Sequence, residues 1–240
     1  MGTRKPGPRL GTSRRAQLAL AHGRKPNALA TLWYAYSGHN GEDVVLQGQM
    51  EWANFLLVES TPRVLTVDYA PRPNILGGTH HAALASIVAY NFEGASEWHV
   101  LDAAEPDEKQ VSLAYISKVP SKTLIRAAQD VGAVVVVRTK ADFQAQALLI
   151  SNWARALSWI AAARCHGLSD MQERAFSTIR ATGPMTLRAV QRDALDPQAF
   201  ALAVAAMFRL VQQGRLACDL HLHPLSLNTK FSLNRETGDV

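Results

Sequence analysis

Cysteine is scarce in this 240-residue chain, which has only Cys165 and Cys218. Two cysteines give no disulfide framework and no CxxC metal pair, and they fit a reducing, cytoplasmic setting. Long apolar runs are missing too: none reaches the roughly 18 residues a membrane span needs. A Gly-rich phosphate loop is absent, because Gly77-Gly78 lacks the Lys and helix that should follow. No acidic residue occurs before Glu42.

The last absence shapes the charge. Positions 1–41 hold Arg4, Lys5, Arg9, Arg14, Arg15, Arg24 and Lys25, seven of the 25 basic residues. The remainder carries 18 basic against 20 acidic residues, so the formal net charge of +5 belongs to the N-terminal stretch. Its Arg, Gly and Pro content predicts a disordered arm over 1–28. Such an arm can neutralise phosphates and add salt-dependent, sequence-blind DNA affinity. The same composition fits a solvated tail that contacts nothing. No apolar core and cleavage site follow the basic residues, which argues against a secretory signal, whereas an organelle transit peptide shares this composition. Pro6 stands where N-myristoylation needs Ser or Thr.

What is present is a globular chain with 48% hydrophobic residues. Residues 29–36 read as a short apolar element, and Ser37 to Gly41 as a loop. Asp43 to Glu59 reads as a helix with Glu51 at its middle, because Val45, Met50, Phe55, Leu56 and Val58 fall near one face. Pro62 ends it. Val64 to Val67 reads as a strand, and Pro71 and Pro73 as a hook. His81 to Tyr90 and Trp98 to Asp102 read as an antiparallel hairpin turning at Glu93-Gly94. A helix follows from about Ser121 to Asp130. Ala133 to Val137 reads as a strand buried on both faces. A long helix is expected from Ala141 to Arg164.

A second domain is expected from 167 to 240, after a first spanning 29–166. Three helices fit it, over 170–181, 186–195 and 197–213, with Asp196-Pro197 starting the third. Arg215 to Leu220 and Leu225 to Leu233 flank His223-Pro224 as a hairpin. Three helices and a hairpin predict a winged helix. Phe200, Ala201, Leu202, Val204, Ala205, Ala206, Met207 and Leu210 dominate the third helix. It is too apolar to read bases, which needs polar side chains, and is expected to pack against protein.

Met50-Glu51, Phe55-Leu56-Leu57, Thr61-Pro62-Arg63-Val64 and Tyr69-Ala70-Pro71-Arg72-Pro73 together form a phrase. In it the segment 42–73 resembles TnsA-type endonucleases, subunits of heteromeric transposases. The downstream order of elements is also similar to that family. The resemblance implies an α/β restriction-endonuclease-like core of the PD-(D/E)xK type followed by a C-terminal winged helix. It further implies DNA, a partner transposase and an ATPase regulator as partners, and Mg²⁺ where the site is active. In that family a helix Glu, a hairpin Asp and a Glu/Gln-x-Lys pair hold metal and orient water. Glu51 matches the helix Glu, and Asp102 the acidic or Gln position. The hairpin Asp falls within Ala83 to Ser86, where no acid stands, and the lysine falls on Ala104.

Three explanations compete: catalytic decay to a binding subunit, migration of function to Lys109, Lys118, Lys122, His80 or His81, and an architectural likeness with Glu51 and Asp102 as ordinary surface residues. Adjacent His80 and His81 cannot face one way on a strand. Decay is the expectation, with Glu51 and Asp102 as remnant catalytic and metal positions and Arg4, Lys5, Arg9, Arg14, Arg15, Arg24 and Lys25 as DNA contacts. An active endonuclease and a stand-alone winged-helix regulator are the alternatives. His221-x-His223 lacks a third ligand, and Cys165-His166 point about 100° apart on a helix.

Overall fold

The structure, a computed structural model, describes residues 31–71, 75–76, 79–80, 84–90, 95–102 and 122–234. The chain forms two compact units. The first comprises Met1–Phe55 with Leu65–Gln144, the second Leu56–Val64 with Ala145–Val240. The basic residues Arg4 to Lys25, together with His81, Ala83, Ala104, Lys109 and Lys118, lie outside the described residues.

The first unit opens with a hairpin. β1 (Leu32–Ser37) pairs antiparallel with β2 (Glu42–Gln47). The helix expected from Asp43 starts only at Gly48, because Val44 to Leu46 are spent on strand pairing, where β-branched side chains pack well. Helix α1 (Gly48–Ser60) follows, so Glu51 sits in its first turn rather than its middle. Trp33 of the hairpin stacks on Trp52 of α1 at 4.9 Å between ring centroids, and Phe55 and Tyr69 continue the aromatic row. Asn40 in the turn bonds both the N–H and the carbonyl of Val67, mimicking a strand partner.

β3 (Val64–Asp68), β6 (Leu84–Tyr90), β7 (Ser96–Asp102) and β8 (Ala133–Thr139) make one sheet in that order. A two-residue pair, β4 (Ile75–Leu76) with β5 (Thr79–His80), stands apart. β6 and β7 run antiparallel, as expected of a hairpin, while β7 and β8 run parallel. Helix α2 (Lys122–Asp130) makes the crossover that a parallel pair requires. Its Leu124 and Ala128 pack with Leu84, Trp98, Val100 and Ala133. Among the described residues β8 ends the sheet, and it is not buried on both faces. Val134 is 62% exposed, and Val135 to Val137 are half-buried. Valine-rich composition serves an edge strand here, a placement that composition alone does not distinguish. Helix α3 (Lys140–Ala145) closes the unit, its first turn bonded by Asp142 to the N–H and hydroxyl of Thr139.

The second unit takes in helix α4 (Ala147–Ala162), so the boundary expected at Gly167 falls inside it. The expected helix 141–164 is two helices, interrupted at Gln146. Helices α5 (Ser169–Thr182), α6 (Leu187–Asp193) and α7 (Pro197–Gln212) follow as anticipated. Thr186 and Asp196 cap α6 and α7 through their side chains. β9 (Met185–Thr186), β10 (Leu216–Cys218) and β11 (Lys230–Leu233) form a three-stranded sheet ordered β10-β11-β9. The strand expected to begin at Leu225 begins at Lys230, and β9 was not expected. Asn152 of α4 holds the long β10–β11 connection, donating to the carbonyls of Leu220 and His223 and accepting from the Leu225 N–H, all at 2.8 Å.

The apolar residues of α7 are explained within this unit. Val204 to Leu210, except Arg209, are buried, and Phe208 meets Trp153, Trp159 and Phe231. At the C-terminal end, the Gln212 amide donates to the carbonyl and carboxylate of buried Glu59. Arg63, in the left-handed region at φ 62°, donates its N–H to the Gln212 carbonyl and lays its side chain over Gly214. A Cβ on Gly214 would lie 2.8 Å from Arg63 Cγ. Among the described residues no helix is long and apolar enough to cross a membrane.

Candidate functional site

The alternation of β7 sorts its side chains. Trp98 and Val100 face the α2 core, whereas Glu97, His99 and Leu101 share the opposite face. On β6, Leu84 also belongs to the α2 core, and two residues on Ser86 would ordinarily join it. A register shift between Leu84 and Ser86 breaks that parity. Leu84 pairs with Val100, and Ser86 pairs directly with His99. The bulge therefore turns Ser86 onto the other face, the re-aiming that bulges achieve beside functional sites.

There Ser86, His99 and Asn54 of α1 meet. The Asn54 amide nitrogen lies 3.0 Å from Ser86 Oγ, and its oxygen 3.0 Å from His99 Nδ1. His99 Nε2 lies 3.0 Å from Glu97 Oε2, and the Tyr90 hydroxyl donates to the same oxygen at 2.9 Å. Five side chains thus form one hydrogen-bonded chain. Ser86, His99 and Asn54 are at most 2% exposed. Buried polar groups without partners are costly, so the chain satisfies its members mutually. The His99 hydrogen bond holds the Glu97 carboxyl below the usual range against opposing burial, with Tyr90 and Arg138 of β8 adding to the effect. Burial and the Glu97 contact push the Tyr90 phenol well above its ordinary value.

Glu51 lies one turn before Asn54 on α1. It is 3% exposed, and its carboxylate accepts the Gln47 N–H at 2.8 Å, folding back over the helix start like the acid of a capping box. Glu51 is therefore not a surface residue. Asp102 closes β7, half-buried, as the register partner of Thr139. Among the described residues no three His, Cys, Asp or Glu side chains come together as a metal site. Lys122 is exposed at the start of α2, and His80 lies in β5. His221 and His223 are exposed in the β10–β11 connection, not on a strand. Cys165 and His166 are exposed beyond α4, while burial pushes the half-buried Cys218 thiol up to about 12.

Sequence reasoning missed Asn54, Ser86, Glu97 and His99. The available signal was Glu97-x-His99, two polar residues at strand period facing an otherwise apolar sheet, with Asn54 on the facing helix. Comparison with protein-family models, with curated proteins and with solved structures finds no match.

Proposed function

We propose that this chain is a TnsA-like subunit of a DNA transposition machinery, with weak or lost nuclease chemistry, which acts by binding DNA and partner proteins. Two successions of elements support this reading. Helix, strand, hairpin, helix and parallel strand in the first unit follow the order of a PD-(D/E)xK core. Helix, strand, helix, helix and two strands in the second follow a winged helix.

The observation that carries the loss of chemistry is the Ser86–Asn54–His99 set. It occupies the face between the first helix and the hairpin, where such a nuclease needs converging carboxylates. An amide, a hydroxyl and an imidazole stand there, each bonded to the next, and the carboxylate of Glu97 on the same face is taken up by His99 and Tyr90. Mg²⁺ demands near-ideal octahedral oxygen coordination. Glu51 is already engaged, its carboxylate accepting the Gln47 N–H at the start of its helix. In this reading α7 does not supply base readout, because its apolar side chains are committed to the core of its own unit.

Binding is tested by titrating a 30-base-pair duplex, about three helical turns, with the full chain and with a chain lacking 1–28. The arm holds seven basic residues, so its removal is expected to flatten the slope of log K against log salt. Sequence-specific, arm-independent binding would instead favour a stand-alone regulator. No duplex binding by the full chain would remove the DNA role.

A further inference from the structure

The contact between Asn54 and His99 is satisfied in two ways that differ by one proton. With Asn54 Nδ2 towards Ser86 Oγ and Oδ1 towards His99 Nδ1, both ring nitrogens face acceptors, Asn54 Oδ1 and Glu97 Oε2. A neutral imidazole has a single N–H, so this arrangement requires the imidazolium. Turning the amide over exchanges its oxygen and nitrogen with almost no movement of heavy atoms. The Ser86 hydroxyl then donates to Oδ1, Nδ2–H donates to a bare Nδ1, and Nε2–H still donates to Glu97. Every contact is again satisfied, now with a neutral ring.

We propose that Ser86, Asn54, His99 and Glu97 form a one-proton switch: proton uptake at His99 Nδ1 turns the Asn54 amide over and reverses the sense of its Ser86 hydrogen bond. The charged groups facing it are few among the described residues. β7 supplies Glu97, the counter-ion. β6 supplies Tyr90, which reaches the ring through Glu97. β8 supplies Arg138, whose charge acts on Glu97 and Tyr90. From α1 the group that touches the ring is the neutral Asn54 amide. The charged state turns the α1–β7 tether into charge-assisted hydrogen bonds, roughly twice as strong as neutral ones. α1 is therefore held more firmly to the sheet when His99 is protonated. This behaviour is independent of any nucleic-acid role.

The test is nuclear magnetic resonance on the full chain, following the His99 ring nitrogens and the Asn54 side-chain NH₂ together across a range of pH. The expected result is a single transition shared by both residues. Glu97 is a third exposed, so Glu97→Gln retains the fold while removing the counter-ion. It is expected to move the shared midpoint so that at least tenfold more protons are needed. His99→Gln is expected to leave the Asn54 signals flat with pH. A ring that titrates while the Asn54 signals stay constant, or a ring silent across the range, would overturn the switch. So would a midpoint unmoved by Glu97→Gln.

Discussion

Ser86 and His99 are direct cross-strand partners, and both reach the amide of Asn54. This pairing exists only because of the shift after Leu84. Without it, Ser86 would point into the α2 core beside Trp98, a hydroxyl with no polar neighbour. The bulge and the polar chain are thus one feature of the fold.

Asn54→Leu is expected to destabilise the first unit by about 3 kcal/mol, because it leaves Ser86 and a ring nitrogen of His99 buried without partners. Denaturant unfolding measures this. A loss of less than about 1 kcal/mol would mean that the chain is not held together by Asn54.

Glu97 predicts the acid limb of stability. Its folded carboxyl titrates below the ordinary value, chiefly through His99. Its contribution is present above the unfolded carboxylate range and is lost as pH falls through the lowered folded value. Glu97→Gln should therefore flatten the decline of stability in acid and leave a smaller difference from wild type at the lowest pH. Parallel curves for the two proteins would contradict the assignment.

Asn152 predicts the behaviour of the second unit. It makes three hydrogen bonds to the β10–β11 connection. Asn152→Ala is expected to cost about 3 kcal/mol and to speed amide exchange at Leu225, whose N–H it accepts. Unchanged exchange there would show that the connection is held by other contacts.

The two thiols should differ in reactivity. Cys165 is exposed, and the Cys218 thiol is raised to about 12 by burial, so little thiolate forms at neutral pH. Timed alkylation of the native chain should modify Cys165 well before Cys218. Comparable rates would contradict the burial.

Much of the order of elements was legible in the sequence. Pro62, Gly132 and Asp196-Pro197 are local stop and start signals, and each marks an element end within a residue or two. The β1–β2 hairpin was not legible beyond an apolar stretch, since Val45 fits the 3.6-residue period of α1 as well as the alternation of β2. The edge position of β8 was hidden because four valines read alike at an edge and in a sheet centre. The polar chain was illegible for a different reason. A bulge changes which face Ser86 occupies, and no residue in Leu84-Ala85-Ser86 announces it. Pairing Ser86 with His99 needs the fold. Asn152 acquires its environment through residues tens of positions away in the same manner.

The proposed function holds that this chain keeps a nuclease-like fold without nuclease chemistry. Nicking of supercoiled plasmid, by the full chain with Mg²⁺ or Mn²⁺ and with and without a cognate transposase, tests it most directly. Glu51→Gln is the informative variant, because Gln still accepts the Gln47 N–H and preserves the helix start while removing the charge. The account predicts nicking no faster than buffer alone for both proteins. Metal-dependent nicking by wild type that disappears in Glu51→Gln would contradict it, and would make Asp102, Lys122 and His80 the next residues to change.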